Sequence, residues 1–376
     1  MRQINKIIVV PDSFKGGISS EKFCNIAQTA IHNIYPAAQV ITIPIADGGE
    51  GTIDALLSAV GGQKVKASVK NPFFEDMESF YGVLPDKTAV IEMAACAGLP
   101  LAKGRENPLE ATTYGVGQLV SLAIKNGCKG IILAMGGSAT NDAGCGMASA
   151  LGVKFFDESG REFIPTGGTL CKIEKIDTQG IMLGVPVTAM CDIDNSLFGE
   201  QGAACVFAPQ KGADENTVKL LDDGLCHFAK VLNNQLNINV GDIAGGGAAR
   251  GLGAGAVCFL NAKLKMGIDV LLDAANFDKL LDDSDFVITG EGKIDTQSLR
   301  GKAVIGVAKR AKLKNVPVIA VVGDIGDNIE EAYELGISSI FSINRLAIPY
   351  EKAVLRSEGD LQLTIENIIR LIKGIC

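Results

Sequence analysis

Apolar residues along this chain follow two alternating patterns. Short unbroken apolar runs, as in strands buried on both faces, are separated by stretches in which apolar positions return every third or fourth residue, as on one face of a helix. Ile7-Ile8-Val9-Val10 is the first run, and a helix follows over about 19–35, with Phe23, Ile26, Ala27, Ala30, Ile31 and Ile34 on one face. A strand over 40–45 and a helix from 52 to about 58 complete a βαβα opening, which implies parallel strands with right-handed crossovers. The same grammar returns near the other end. Phe286-Val287-Ile288, a helix over about 302–313, a run over 316–322, a short strand over 338–343 and a last helix aligning Leu361, Ile365, Ile368, Ile369 and Ile372 follow in order. Joined together, the two ends predict a flavodoxin-like doubly wound parallel-sheet domain, residues 1–61 plus 284–376, split by an inserted α/β domain over 62–283.

The insert opens with strand-like alternation over 65–69, 79–83 and 89–91, then a helix near 112–125. At its centre the buried run 131–135 feeds Gly136-Gly137-Ser138-Ala139-Thr140-Asn141-Asp142 and a small-residue helix over 143–151. Two glycines permit a sharp turn, and Asn141 or Asp142 is the expected N-cap. A helix start at that point presents free N–H donors suited to a phosphate, the alternative being a tight turn with an ordinary cap. The run 185–190 ends in Cys191-Asp192-Ile193-Asp194-Asn195, residues 209–213 (PQKGA) precede a long helix, and 245–255 (GGGAARGLGAG) reads as a helix N-terminus or a tightly packed helix.

In the terminal halves, clusters of glycine and acidic residues follow the strands: 12–17, 46–52, 289–295 and 323–327. Open α/β sheets bind ligands at the carboxyl ends of their strands, and loops made only for turning have no need of Asp47, Glu50, Glu291, Lys293 and Asp295. Length supports two domains, since 376 residues exceed the roughly 250–300 at which one core stops growing. Aromatics make up 5% with no Trp, and the net charge is −8, which argues against nucleic-acid or anionic-membrane partners. The ten cysteines are scattered without a C-x-x-C pair and read as reduced, packed thiols. The N-terminal apolar run is too short for a signal peptide and none approaches the roughly 18 residues of a membrane span, so a cytoplasmic protein is expected.

No G-x-x-x-x-G-K-[ST] occurs, and 245–255 does not fit G-x-G-x-x-G, so neither a P-loop nor a dinucleotide fingerprint is present. The histidines, His32 and His227, lie away from the glycine-rich loops, which leaves carboxylates as candidate general bases. Carboxylates on glycine turns, a few lysines and an anion cradle are the equipment of phosphoryl transfer. An NAD-dependent hydroxy-acid oxidoreductase and a non-catalytic anion-binding protein are the alternative readings.

Seven segments in order, PDSFKG (11–16), PIADGGEGT (44–52), EMAACAGL (92–99), TTYGVGQL (112–119), GGSATNDAGCGM (136–147), PQKGA (209–213) and ITGEGKIDTQS (288–298), resemble the bacterial ATP-dependent type-1 glycerate kinase family over nearly the whole chain. The resemblance implies a flavodoxin-like domain split by an α/β insert, an active site in the cleft between them, and transfer of the γ-phosphoryl of ATP to D-glycerate with Mg²⁺. The implied product is 2-phosphoglycerate, with 3-phosphoglycerate as the rival, and a homodimer stays open. The chain departs from the family pattern where Ala143 and Arg250 stand for Gly, Ser196 for Pro, and Lys293 for Arg. Lys293 keeps the charge but lacks the planar fork.

On this reading Asp47 or Asp192 accepts the proton of the attacking hydroxyl, and Lys15 is the catalytic cation. Ser138, Thr140, Asn141, Asp142, Lys293 and Gln297 are expected to hold substrate or phosphate. Glu291 and Asp295 are the expected Mg²⁺ or phosphate-network residues. Helix capping, structural ion pairs and solvated lysines are the plain alternatives for each, and Asp142 and Glu50 are the weaker candidates.

Overall fold

Buried apolar runs become the central strands. In the computed structural model, which describes residues 4–14, 16–46, 48–181, 183–207 and 214–375, the chain forms two compact units. The first comprises Met1–Ala46, Asp54–Val60 and Ile268–Cys376, the second Asp47–Ile53 and Gly61–Gly267.

The first unit carries a five-stranded, all-parallel sheet in the spatial order Gln39–Thr42, Lys6–Pro11, Phe286–Gly290, Val318–Val322, Ser339–Ser342. Counted along the unit's own chain, that is the 2-1-3-4-5 order of flavodoxin-like sheets. Lys6–Pro11 and Phe286–Gly290 run in register from Ile7↔Phe286 to Pro11↔Gly290, although about 275 residues of chain separate them. The helix Ser20–His32, started by Ser19 whose Oγ accepts the Lys22 N–H at 3.1 Å, packs with the helix Ser357–Ile375. Their apolar stripes, Phe23, Ala27 and Ile31 against Leu361, Ile365 and Ile369, join Ile7 and Val9 in one core.

Residues 268–283, which sequence patterning placed in the insert, belong to the first unit. Ile268 packs against Gly306, where a Cβ would lie 2.8 Å from its Cγ2. Arg310, on the helix Ala303–Leu313, also pairs with Asp269, Asp273 and Asp278. That cluster of charges is invisible to hydrophobic periodicity.

The second unit holds a six-stranded mixed sheet in the order Lys263–Lys265, Val187–Met190, Gly130–Ala134, Thr88–Glu92, Asp76–Val83, Gln63–Lys70. The first four are parallel, and the last two extend the sheet as an antiparallel hairpin. A small antiparallel sheet of Lys154–Phe156, Glu162–Phe163 and Lys175–Asp177 was not foreseen, because strands of two or three residues carry no period. Both histidines are structural: His32 Nε2 lies 3.1 Å from the Ala38 carbonyl, and His227 Nε2 lies 2.8 Å from that of Ile173. The described cysteines are free thiols; Cys24, Cys96, Cys128, Cys145 and Cys191 are buried and Cys171 is exposed. Among the described residues no helix is long and apolar enough to cross a membrane.

Candidate active site

The three neighbouring parallel strands Thr88–Glu92, Gly130–Ala134 and Val187–Met190 end at one edge of the second unit's sheet. There the 136–142 turn pairs with the segment that follows Glu92: Leu99 N–H donates to the Gly137 carbonyl at 2.8 Å, and Ala139 N–H to that of Ala97 at 2.9 Å. On its other side Gly136 N–H donates to the Gly48 carbonyl at 2.8 Å. A Cβ on Gly136 would sit 2.6 Å from Gly49 Cα, so the two backbones touch only because residue 136 is a glycine. The loop after residue 45 and the 136–142 turn, far apart in sequence, therefore meet.

The start of the next helix differs from expectation. It spans Cys145–Ala150, with Gly144 as N-cap at φ 74°, and its leading donors are already spent. Gly144 N–H goes to Asp142 Oδ1 (3.2 Å), Cys145 N–H to the Asp142 carbonyl (2.8 Å), Gly146 N–H to Asp142 Oδ2 (3.2 Å), and Met147 N–H to Thr113 Oγ1 (2.9 Å). Asp142 Oδ2 also accepts from Thr113 N–H at 2.7 Å, Thr113 Oγ1 at 2.8 Å and Thr112 Oγ1 at 3.3 Å. Burial pushes its carboxyl up, and these donors pull it back. No phosphate cradle is left at this helix N-terminus. Asp142 fastens the start of Tyr114–Lys125 to that of Cys145–Ala150 instead of facing a ligand.

Ser138 and Thr140 are likewise turned toward each other, Ser138 Oγ lying 3.2 Å from Thr140 Oγ1 and accepting the Thr140 N–H at 3.1 Å. Asn141 is different. It is fully buried, and neither its amide nitrogen nor its amide oxygen has a partner. A second buried group without its full complement is Arg250, 2% exposed, whose Nη1 donates to the Thr140 carbonyl at 3.2 Å while Nε and Nη2 meet nothing. Burial pulls its guanidinium down to about 10. The 245–255 segment carries it against the turn: a Cβ on Gly255 would lie 2.2 Å from the Ala143 carbonyl. Ala143 and Arg250 have φ of 51° and 55°, the conformations that glycine adopts freely. In the sequence Arg250 stands out only as a departure from the resembled pattern. The available signal was a lone cation in a run of glycine and alanine, too small-sided to carry it on an open surface.

Asp192 follows Val187–Met190, is exposed, and accepts the Gly267 N–H through Oδ1 at 2.6 Å. Asp47 and Lys15, the other catalytic candidates, lie outside the described residues, as does 209–213.

In the first unit the loops after Phe286–Gly290 and Val318–Val322 zip together: Gly323 N–H donates to the Glu291 carbonyl at 3.1 Å, and Lys293–Ile294 pairs with Asp324–Ile325. Lys293 is exposed, 3.9 Å from Asp324, a weak pairing in water. Asp295 Oδ1 accepts the Gln297 N–H at 2.9 Å, and Gln297 Oε1 lies 3.5 Å from Lys302 Nζ. Glu291 is 7% exposed with Oε1 unpartnered, and its carboxyl is pushed up to about 7. Burial is the main cause, with Asp12 and Asp295 adding to it and Ser298 and Lys302 opposing. Among the described residues no three His, Cys, Asp or Glu converge as a ready-made metal cage. Mg²⁺ is commonly held by one or two carboxylates completed by substrate phosphates, so Glu291 with its unpartnered oxygen, beside Asp295, fits that ion.

An α/β chain whose first unit has a flavodoxin-like parallel sheet, and whose acidic and glycine-rich loops sit at strand ends, is of the class that handles small anionic ligands. The comparisons specify it further. The profile of the glycerate kinase family matches residues 7–373. The chain is 42% identical to a glycerate kinase of Bacillus cereus (strain ATCC 10987 / NRS 248) over 98% of each chain, and 40% identical to a glycerate 2-kinase of Escherichia coli (strain K12) over 90% of each. A crystal structure described as a candidate glycerate kinase 2 from Salmonella typhimurium LT2 superposes with a TM-score of 0.87 at 36% identity, covering 99% of both chains. The chain belongs to the glycerate kinase family and is an enzyme of the phosphotransferase class.

Proposed function

We propose that the protein transfers the γ-phosphoryl of ATP to the 2-hydroxyl of D-glycerate, yielding 2-phosphoglycerate and ADP in the cytoplasm. One observation carries the reading. Among the described residues, the buried side-chain polar atoms left without a partner belong to Asn141, Arg250 and Glu291. Asn141 and Glu291 lie in family motifs at strand ends, and Arg250 bonds the residue beside Asn141. Buried polar groups are almost always satisfied, so the unsatisfied ones in the 136–142 turn, on Arg250 beside it and, in the other unit, in the loop after Phe286–Gly290 are groups awaiting a ligand.

The bond that forms joins the glycerate hydroxyl oxygen to the γ-phosphorus. The bond that breaks is between that phosphorus and the β–γ bridging oxygen, whose electron pair leaves with ADP. The hydroxyl proton goes to a carboxylate, Asp192 or Asp47; Asp192 suits the task because it is exposed at a strand end and held by the Gly267 N–H. Ser138, Thr140 and Asn141 shape the substrate turn, with Asp142 fixing it from behind. Lys15, Lys293 and Gln297 face phosphate oxygens in this scheme. Glu291 and Asp295 would hold Mg²⁺, which when bound neutralises phosphate charge. Support for the 2-position comes from the E. coli relative named a glycerate 2-kinase.

The test is direct. The purified protein is incubated with ATP, Mg²⁺ and D-glycerate, and the products are followed by ³¹P NMR. A 2-phosphoglycerate resonance growing with ADP is expected. A 3-phosphoglycerate resonance overturns the regiochemistry, and no glycerate phosphate at all overturns the function.

A further inference from the structure

Arg250 poses a physical problem that its own unit does not solve. A cation buried to 2% exposure without a counter-charge is strongly disfavoured, and among the described residues no carboxylate reaches it. Its backbone adds to the cost: Ala249 and Arg250 have φ of 48° and 55°, a region that disfavours any residue with a Cβ by roughly 1–2 kcal/mol. The protein bears burial and strain together to hold a guanidinium in this place.

What is left over has a definite shape. Nη1 is anchored on the Thr140 carbonyl, which fixes the plane of the group, while Nε and Nη2 remain unpartnered. Those two nitrogens form one edge of the guanidinium fork, the edge that donates two parallel hydrogen bonds to a two-oxygen anion. Next to Thr140 stands Asn141, with both an unused donor and an unused acceptor. A phosphate offers only acceptors and would leave the Asn141 amide oxygen unsatisfied. A hydroxy acid offers a carboxylate for the fork and a hydroxyl that can donate to the amide.

We propose that Arg250 and Asn141 form the receptor for the acid substrate, the Arg250 fork taking the carboxylate and the Asn141 amide taking a hydroxyl. The proposal rests on the function argued above and adds to it the groups that select a hydroxy acid over a neutral polyol. Because these atoms are shielded from solvent, the acid reaches them through a movement of the glycine-rich 245–251 segment or the 136–142 turn.

The test begins with the wild-type enzyme, whose failure to phosphorylate D-glycerate would overturn the function itself. With that activity in hand, Arg250→Lys, which keeps the charge and loses the fork, is expected to raise KM for D-glycerate about 10- to 100-fold while KM for ATP stays within about twofold. Arg250→Met is expected to shrink the preference for glycerate over its neutral amide, glyceramide, by a similar factor. A readout independent of turnover is the thermal midpoint: D-glycerate should raise it in the wild type and fail to do so in Arg250→Lys. Glycerate should also alter hydrogen exchange of the 136–142 and 245–251 amides. An unchanged KM for glycerate, or a rise in KM for ATP instead, overturns the assignment; the latter outcome places a nucleotide phosphate on the fork. Should Arg250→Lys not fold, Asn141→Ala decides: a raised KM for glycerate supports the receptor, and an unchanged one overturns it.

Discussion

Replacing Glu291 with Gln should stabilise the protein in a manner that depends on pH. The carboxyl is 7% exposed and titrates near 7 in the native state, against an ordinary value of 4.5. Burial disfavours the carboxylate first, and the charges of Asp12 and Asp295 disfavour it further. A carboxyl raised in this way keeps its proton in the folded chain after the unfolded chain has lost it. Stability from this group is therefore complete below about pH 4.5 and drains away as the pH climbs toward 7. The gap from 4.5 to about 7, at about 1.36 kcal/mol per pH unit, is worth on the order of 3 kcal/mol. Gln cannot ionise, so Glu291→Gln should match the wild type near pH 4.5 and exceed it by about that amount above pH 7. Urea denaturation from pH 4.5 to 8, with a fluorescent probe on the first unit, measures the difference curve. Saturating Mg²⁺ at pH 8 should narrow the difference, because an ion held by the ionised wild-type carboxylate stabilises it and not the variant. A difference that is flat across pH, or a variant less stable at pH 8, refutes the account of Glu291.

Three further outcomes are expected. Asp192→Asn, which retains an oxygen for the Gly267 N–H, should lower kcat by about 10²–10⁴-fold with the fold intact; normal turnover in both Asp192→Asn and Asp47→Asn would remove both from the role of base. Gly136→Ala should cost at least about 2 kcal/mol in a urea titration, since its Cβ would lie 2.6 Å from backbone carbon with no flexible side chain to yield. Asp142→Ala leaves buried donors of Thr112, Thr113, Gly144 and Gly146 without an acceptor, and a loss of roughly 3–5 kcal/mol is expected. A melting temperature unchanged by it would contradict the fastening role.

The strands of both units were legible because a buried parallel strand has to be an unbroken apolar run. Ile7–Val10, Ile131–Ala134 and Val318–Val322 all lie in strands where such runs stand. The flavodoxin-like sheet followed from the repetition of that grammar at the two ends. The boundary at 268 was not legible, since it depends on Arg310 finding three aspartates and on Ile268 finding Gly306. In the site, the 136–142 turn stands out in the sequence, but the occupancy of the donors at the helix start beyond it does not. The donors that a helix start advertises were consumed by Asp142 and by Thr113, a partner supplied from 29 residues upstream of Asp142. Local spacing cannot reveal a competitor that arrives through tertiary packing. Arg250 was hidden for the same reason: its importance lies in what fails to reach it.

The division of the flavodoxin-like sheet has a consequence for synthesis. Strand Lys6–Pro11 leaves the ribosome early, yet its neighbour Phe286–Gly290 is translated about 275 residues later. At roughly 5–20 residues per second this delay lasts about 14–55 s, during which one flank of Lys6–Pro11 has no partner. The uninterrupted 61–267 portion contains its own core and can acquire structure in that interval. Nascent chains arrested near residue 270 should thus show a protease-resistant insert and a protease-sensitive leading segment. Moving residues 1–60 to the carboxyl terminus by circular permutation should shorten the wait.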